Sequence, residues 1–268
     1  RFNREAPKVL DDPNADAMTL GEFLDRGRYA PAFVERYLIP MAGAIWSMAP
    51  GVMREFPVLT MVRFMHHHGM LGLGTHPRWK VIRGGSHAYL APLTAPFRDR
   101  IVTGTNITAV HRSTDGVTIS CANRPDQQFN EVVFACHGDQ ILPLLARPTA
   151  AEQEVLGRFR TSSNDTCLHT DASLLPRRAA ARASWNYLLG NAGQVTVTYH
   201  MNRLQSLKTA EDYCVTLNAD GDIEPTKVLQ RMVYTHPLYT RDAIRAQSRW
   251  ADISGLNHTH FCGAYWFY

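Results

Sequence analysis

Three clusters in this sequence carry residue types that could do chemistry. Gly84-Gly85-Ser86 stands between a strand pattern and a helix pattern. Two glycines reach backbone angles closed to other residues and let a ligand approach the main chain, and Ser86 is placed to cap the helix that follows. Amides at that helix start would favour an anion or an electron-rich ring; a tight turn without a ligand is the other reading. His66-His67-His68 suggests metal binding, but consecutive helical residues point about 100° apart and do not converge on one ion, so no metal is expected. His169, Asp171 and Ser173 have the types of a hydrolase triad, but no Gly-x-Ser-x-Gly elbow presents a nucleophile.

The elements that must hold these residues follow from period and punctuation. Thr19 with Glu22 three residues on is a capping-box pattern, and Pro31 to Tyr37 and Pro57 to Met70 have helical spacing, so residues 18–73 are expected to form a helical subdomain. Within it Met41, Ile45, Trp46, Met48 and Met53 would make either an adaptable apolar lining or plain helical core. Arg100 to Thr103, Asn106 to Ser113 and Val117 to Cys121 alternate apolar and polar residues, with Asp115-Gly116 as a tight connection, and predict a β-meander. Glu131 to Ala135 reads as a buried strand leading into a helix over Gln140 to Ala146. Asp165 to Thr170, Ala183 to Leu188, Gln194 to Met201, Asp212 to Leu217 and Val228 to Thr235 read as five strands of an antiparallel sheet, with helices near Asn202 to Leu207 and Arg241 to Trp250.

The run WKVIRGGSHAYLAPL (Trp79 to Leu93), the meander and EVVFACHGDQILPLL (Glu131 to Leu145) together resemble the flavin-containing amine oxidase superfamily, which includes monoamine oxidases, protoporphyrinogen oxidase and carotenoid desaturases. PMAGAIWSMAP (Pro40 to Pro50), HHGMLGL (His67 to Leu73), LHTDASLLP (Leu168 to Pro176), ASWNY (Ala183 to Tyr187), TYHMNRLQSL (Thr198 to Leu207) and HFCGAYW (His260 to Trp266) are similar to a group of NAD/FAD-binding amine oxidase-like proteins associated with cyclopropane fatty acid synthases. The resemblance implies an α+β fold: a partial FAD-binding domain with its β-meander, an antiparallel substrate-domain sheet and a helical cap. It divides the chain into 1–78, the helical part of the substrate domain; 79–160, part of the FAD-binding domain; 161–255, the substrate-domain sheet; and 256–268, a return to the FAD-binding domain.

Residue by residue, the resemblance implies FAD contacts. Gly84, Gly85 and Ser86 match the Gly-Gly-Ser turn of monoamine oxidases, with His87, Ala88 and Tyr89 facing the cavity. Ile107 falls where a backbone pairs with adenine, Ala135 beside the adenosine, and Cys262 with Gly263 at the Ala-Gly of the late flavin motif. Two departures bear on chemistry: Ser163-Asn164-Asp165-Thr166 has no lysine where many amine oxidases hold a water at the flavin, and Ala135-Cys136-His137 lacks the proline of the oxidase pattern. The side-chain catalyst candidates are His87, Tyr89, His137 and Asn164. The expected activity is FAD-dependent hydride transfer from a C–H bond of an apolar substrate, a fatty acyl chain being favoured over an amine; the alternative is a lipid- or partner-binding module without redox chemistry.

No Gly-x-Gly-x-x-Gly fingerprint occurs, and the sequence reads as an internal portion of a longer protein in which any activity resides. A length of 268 residues, 45% of them hydrophobic, is enough to bury a sizeable core. The +4 charge is spread without a basic stripe, so nucleic acid is not an expected partner. Five scattered cysteines without metal or redox spacing fit reduced thiols in a cytoplasmic protein, peripheral membrane attachment being compatible with this. The uncharged run from Leu38 to Met53 is too short to span a membrane and is interrupted by Pro40 and Pro50. Val132 to Ala135 would leave an unpaired sheet edge, so poor solubility or homodimerisation is expected.

Overall fold

The computed structural model describes every residue except 47, 49, 73, 75–79, 190–194, 220 and 268; Leu73, Trp79, Gln194 and the Ser47 and Ala49 of the Pro40 to Pro50 motif lie outside the described residues. Ten strands are present among them: β1 Ile107–Ser113, β2 Gly116–Cys121, β3 Arg124–Phe129, β4 Val132–Phe134, β5 Arg160–His169, β6 Trp185–Leu189, β7 Val195–His200, β8 Cys214–Leu217, β9 Val228–Leu238 and β10 Thr259–Phe261. The chain forms two compact units, Arg1–Pro96 with Ser162–His236, and Phe97–Thr161 with Pro237–Tyr268.

In the first unit the helix Leu20–Arg26 starts as its sequence dictates. Thr19 Oγ1 accepts from the Glu22 amide at 3.1 Å and Glu22 Oε2 accepts from the Thr19 amide at 2.9 Å. Leu20 and Leu24 on its inner face are buried, as are Leu38, Met53, Phe56 and Met61 of the following helical segments. Trp46 packs on Phe56 and Phe64 with ring centroids 4.6 and 4.8 Å apart, so it is helical core, and Met53 is fully buried. The helix Val58–His67 ends with His68 Nδ1 donating to the Phe64 carbonyl at 2.8 Å while its ring stacks on Phe64.

Most of this unit's sheet is antiparallel, in the order β6-β7-β8-β5-β9, with β6/β7, β7/β8 and β8/β5 antiparallel. All five expected strands are present. Trp185, Tyr187 and Leu189 alternate with Asn186 and Leu188, and Tyr187 Oη donates to the Arg36 carbonyl, so this face meets the helical segments.

In the second unit β1, β2 and β3 form the meander, registered through Val110 opposite Ile119 and Ile119 opposite Gln127. Its third strand corrects the sequence reading: Arg100 closes a 3-10 helix, residues 101–103 have no regular structure, and Arg124–Phe129 pairs instead. This edge strand is exposed along its whole length, so its RPDQQF sequence needs no apolar alternation, and backbone bonds to β2 hold it. β4 and β10 pair in parallel, Phe134 opposite Phe261. Behind them Ile141, Leu156, Phe159, Ile253, Phe261 and Trp266 contribute to a continuous core. The helix Ala150–Leu156, capped by Thr149 and Glu152, was not anticipated from the sequence. No helix among the described residues is long and apolar enough to cross a membrane.

Candidate functional site

In the first unit the Gly84-Gly85-Ser86 turn forms as expected. Gly84 and Gly85 take φ of 83° and 82°, and Gly85 N–H closes the turn on the Ile82 carbonyl at 3.0 Å. A Cβ at either position would meet nothing closer than 3.6 Å, so the two glycines answer a conformational need rather than a steric one. The N-cap is Gly85, and Ser86 is already the first helical residue with no side-chain cap, which corrects the role expected for its hydroxyl. Gly84, Ser86, His87, Ala88 and Tyr89 are exposed, as are Leu90 and Leu93 on the helix that follows.

In the second unit three further candidates converge. β4 and β10 end together at Phe134 and Phe261, whose pairing is closed by Cys262 N–H donating to the Phe134 carbonyl at 2.9 Å. Ala135, Cys262 and Gly263 thus emerge, exposed, at the carboxyl ends of two parallel strands. That is where open α/β sheets place ligands. Gly263 has φ of 148°, and a Cβ there would lie 2.6 Å from Cε1 of Tyr265. The Tyr265 ring is fixed: it packs edge-on against Phe159 at 4.8 Å, and its carbonyl accepts from Gln247 Nε2 at 3.0 Å. Only glycine fits this position without moving an aromatic cluster. Ile107, about two-fifths exposed, starts β1.

His137 caps the short 3-10 turn Gly138–Gln140, its N–H donating to Gln140 Oε1 at 3.3 Å. Asn164 is buried in β5; its Oδ1 accepts from Asn218 Nδ2 at 3.1 Å and its Nδ2 donates to Ser162 Oγ at 3.3 Å. Both polar ends of that amide are therefore already used within the sheet.

The sequence reading missed a buried polar network on one face of the sheet in the first unit. His169 Nδ1 accepts the Asp171 N–H at 3.1 Å, which places the ring proton on Nε2, 2.7 Å from Thr216 Oγ1, itself 2.9 Å from Thr198 Oγ1. Burial holds the His169 ring below its ordinary titration range. The Asp171 carboxylate accepts from the Glu224 and Ser173 amides and from Lys227 Nζ; the Glu224 amide is the largest of the causes that hold it well below the usual carboxylate range. His169, Asp171 and Ser173 therefore make a turn, not a triad. Further along the sheet Asp212 links His200 Nε2, at 2.9 Å, to Arg182 Nη1, at 2.8 Å. Cys214 lies opposite both His169 and His200, and burial pushes its thiol up to about 11. The period-2 pattern of Thr196, Thr198 and His200 facing Cys214 and Thr216 was the available signal, but polar residues at alternate positions read as a solvent face.

Neither a protein-family profile nor a curated protein matches the sequence. Solved structures do. A putrescine oxidase triple mutant from a redesign of cofactor binding is 10% identical with a TM-score of 0.68, over 98% of this chain and 68% of that one. Cyclohexylamine oxidase from Brevibacterium oxydans IH-35A is 11% identical with a TM-score of 0.63, over 98% and 67%. A conjugated-linoleic-acid (CLA)-producing fatty acid isomerase from P. acnes is 14% identical with a TM-score of 0.58, over 93% and 62%. The chain therefore spans roughly two thirds of these proteins, and its helices and antiparallel sheets are those of the amine oxidase-like fold.

Proposed function

We propose that this chain is the greater part of an FAD-dependent oxidoreductase acting on an apolar substrate, a fatty acyl chain being the favoured class. The observation that carries the reading is the carboxyl-end cluster of Ala135, Cys262 and Gly263, all exposed where two parallel strands end. The fold likeness over nearly the whole chain supports it. Bound flavin would accept a hydride from a substrate C–H bond, which is the cofactor's own chemistry.

The chain's residues then have positional work. Gly84, Gly85 and Ser86 bring main chain to the flavin, Ile107 gives adenine a backbone contact, and Ala135, Cys262 and Gly263 admit the adenosine and phosphate portions. His87 and Tyr89, exposed beyond the glycine turn, are the side chains free to hold or move a proton. The segments 1–78 and 161–255 serve the substrate, and 79–160 with 256–268 the cofactor. Absence of a lysine over residues 163–166 argues against classical amine oxidation. The fold shared with a fatty acid isomerase is in keeping with an acyl substrate. The exposed apolar side chains Tyr89, Leu90 and Leu93 are where a second copy would associate in a homodimer.

The test is spectroscopic. Titrating purified protein with FAD should quench flavin fluorescence, and the bound flavin should bleach anaerobically with fatty acyl substrates and not with putrescine. Bleaching by amines alone would refute the acyl substrate. Acyl binding by a protein that takes up no flavin would favour a non-catalytic lipid-binding module.

A further inference from the structure

A π-helix interrupts the helical segments of the first unit. Val34–Leu38 runs between the helices Pro31–Phe33 and Ile39–Trp46, and the Ile39 N–H closes it on the Val34 carbonyl, five residues back. Its cause stands just beyond it. An α-helix would satisfy the Arg36 carbonyl with the amide of residue 40, but Pro40 has no N–H, and a proline ring crowds the carbonyl four residues before it. The wider turn relieves that crowding. A donor for the carbonyl comes instead from the sheet, where Tyr187 Oη on β6 reaches Arg36 O at 3.3 Å. Tyr187 shares its face of the sheet with Trp185, which lies opposite Tyr199, and all three rings are half-buried. On the helical side Val34 and Leu38 are buried, whereas Tyr37 is half exposed. Single π-turns inside α-helices are rare and occur frequently at functional sites.

We infer that Tyr187 is a latch: its hydroxyl, seated on the carbonyl that Pro40 leaves without an α-helical donor, holds the π-helix against β6, and its release lets this helical segment lift from the aromatic face to admit an apolar ligand. The ligand class rests on the reading of 1–78 and 161–255 as the substrate side. The latch itself rests on the hydrogen bond and the proline alone. A hydrogen bond of this kind shifts a local opening equilibrium about fivefold. A ligand that binds only the open form gains affinity by the factor through which opening is eased. Tyr187 acts through the helical segment it holds, so it is a positioning residue. Giving residue 40 an amide supplies the Arg36 carbonyl from within the helix and makes the hydroxyl redundant.

The experiment is hydrogen exchange, read by peptide mass spectrometry, on wild type, Tyr187→Phe, Pro40→Ala and the double variant. Tyr187→Phe should speed exchange of the amides over Val34 to Met41 about fivefold. Peptides from β4 and β10, in the other unit, should exchange as in wild type, which separates local opening from a general loss of stability. In the Pro40→Ala background the same loss of the hydroxyl should leave exchange unchanged. Oleate, titrated as the apolar probe, should bind Tyr187→Phe about fivefold more tightly than wild type, with FAD affinity unaltered. Exchange unmoved by Tyr187→Phe, an equal acceleration with and without Pro40, or oleate binding that weakens in Tyr187→Phe would overturn the inference. Exchange that responds as stated in a protein that never binds oleate would sustain the latch and refute the acyl substrate, so the two failures are told apart.

Discussion

Arg112 on β1 sets two guanidinium nitrogens against both carboxylate oxygens of Glu152 on the helix Ala150–Leu156, Nη2 lying 2.9 Å from Oε2. Glu152 Oε2 also accepts the Thr149 N–H at 2.7 Å, while Arg112 Nη2 donates to the Arg147 carbonyl at 2.7 Å. The pair is almost wholly buried, at 8% and 1% side-chain exposure. Burial alone would raise Glu152, but Arg112 and Thr149 outweigh it and the carboxyl stays below its ordinary range.

Removing one partner strands the other charge. Arg112→Ala or Glu152→Ala should each cost about 3–5 kcal/mol in urea unfolding. The double replacement Arg112→Met with Glu152→Leu should recover most of that loss. A double variant as unstable as the singles would show that packing rather than charge sets the cost.

The capping boxes at Thr19 and Thr149 allow each compact unit to be weakened separately. Thr19→Ala in one and Thr149→Ala in the other should each cost about 1 kcal/mol, from the lost acceptor for the third helical amide. If the units unfold independently, calorimetry should show Thr19→Ala lowering only the transition of the unit holding residues 1–96, and Thr149→Ala only the other.

His169 makes stability depend on pH in a defined direction. Its folded form titrates below the unfolded value of 6.5 because burial disfavours the imidazolium, so the unfolded chain binds the proton more readily. The stabilisation is fully present above pH 6.5 and is lost as pH falls below it. Denaturant midpoints measured from pH 8 to pH 5 should decline, and His169→Gln should flatten that decline in the same interval. An unchanged slope in the variant would assign the pH dependence to other groups.

Gly263→Val should displace the Tyr265 ring from Phe159 and strain a backbone at φ of 148°. The expected loss is about 1–3 kcal/mol. Near-ultraviolet circular dichroism should report the disturbed cluster of Phe159, Tyr265 and Trp266, and FAD binding should be abolished. Native dichroism with normal flavin affinity would remove Gly263 from the proposed site.

Much of the fold could be read from local chemistry. Thr19 and Glu22 announced a helix start, the glycine pair a turn with positive φ, and the alternation over residues 185–200 two of the sheet strands. What escaped was stabilised by partners distant in sequence. β3 is mostly polar and exists because β2 offers a ladder, whereas Ile101 and Val102 have strand-like side chains but form no strand. The Thr149-Ala150-Ala151-Glu152 signal was legible and shows the same capping chemistry as Thr19 to Glu22. For the site, the Ala135, Cys262 and Gly263 grouping needed the parallel pairing of residues far apart along the chain, and the His169 network needed three strands in register. No local pattern encodes either.

The pairing of β4 with β10 also sets an order of events during synthesis. Val132–Phe134 leaves the ribosome long before its neighbour Thr259–Phe261. Thr259, 3.5 Å from Arg112 Nη1, then seats beside a guanidinium whose carboxylate was delivered much earlier. Translation stalled ahead of Thr259 would leave a nascent polypeptide with its meander built and β4 without its parallel neighbour, a form that chaperones and proteases could tell from one in which the two strands have met.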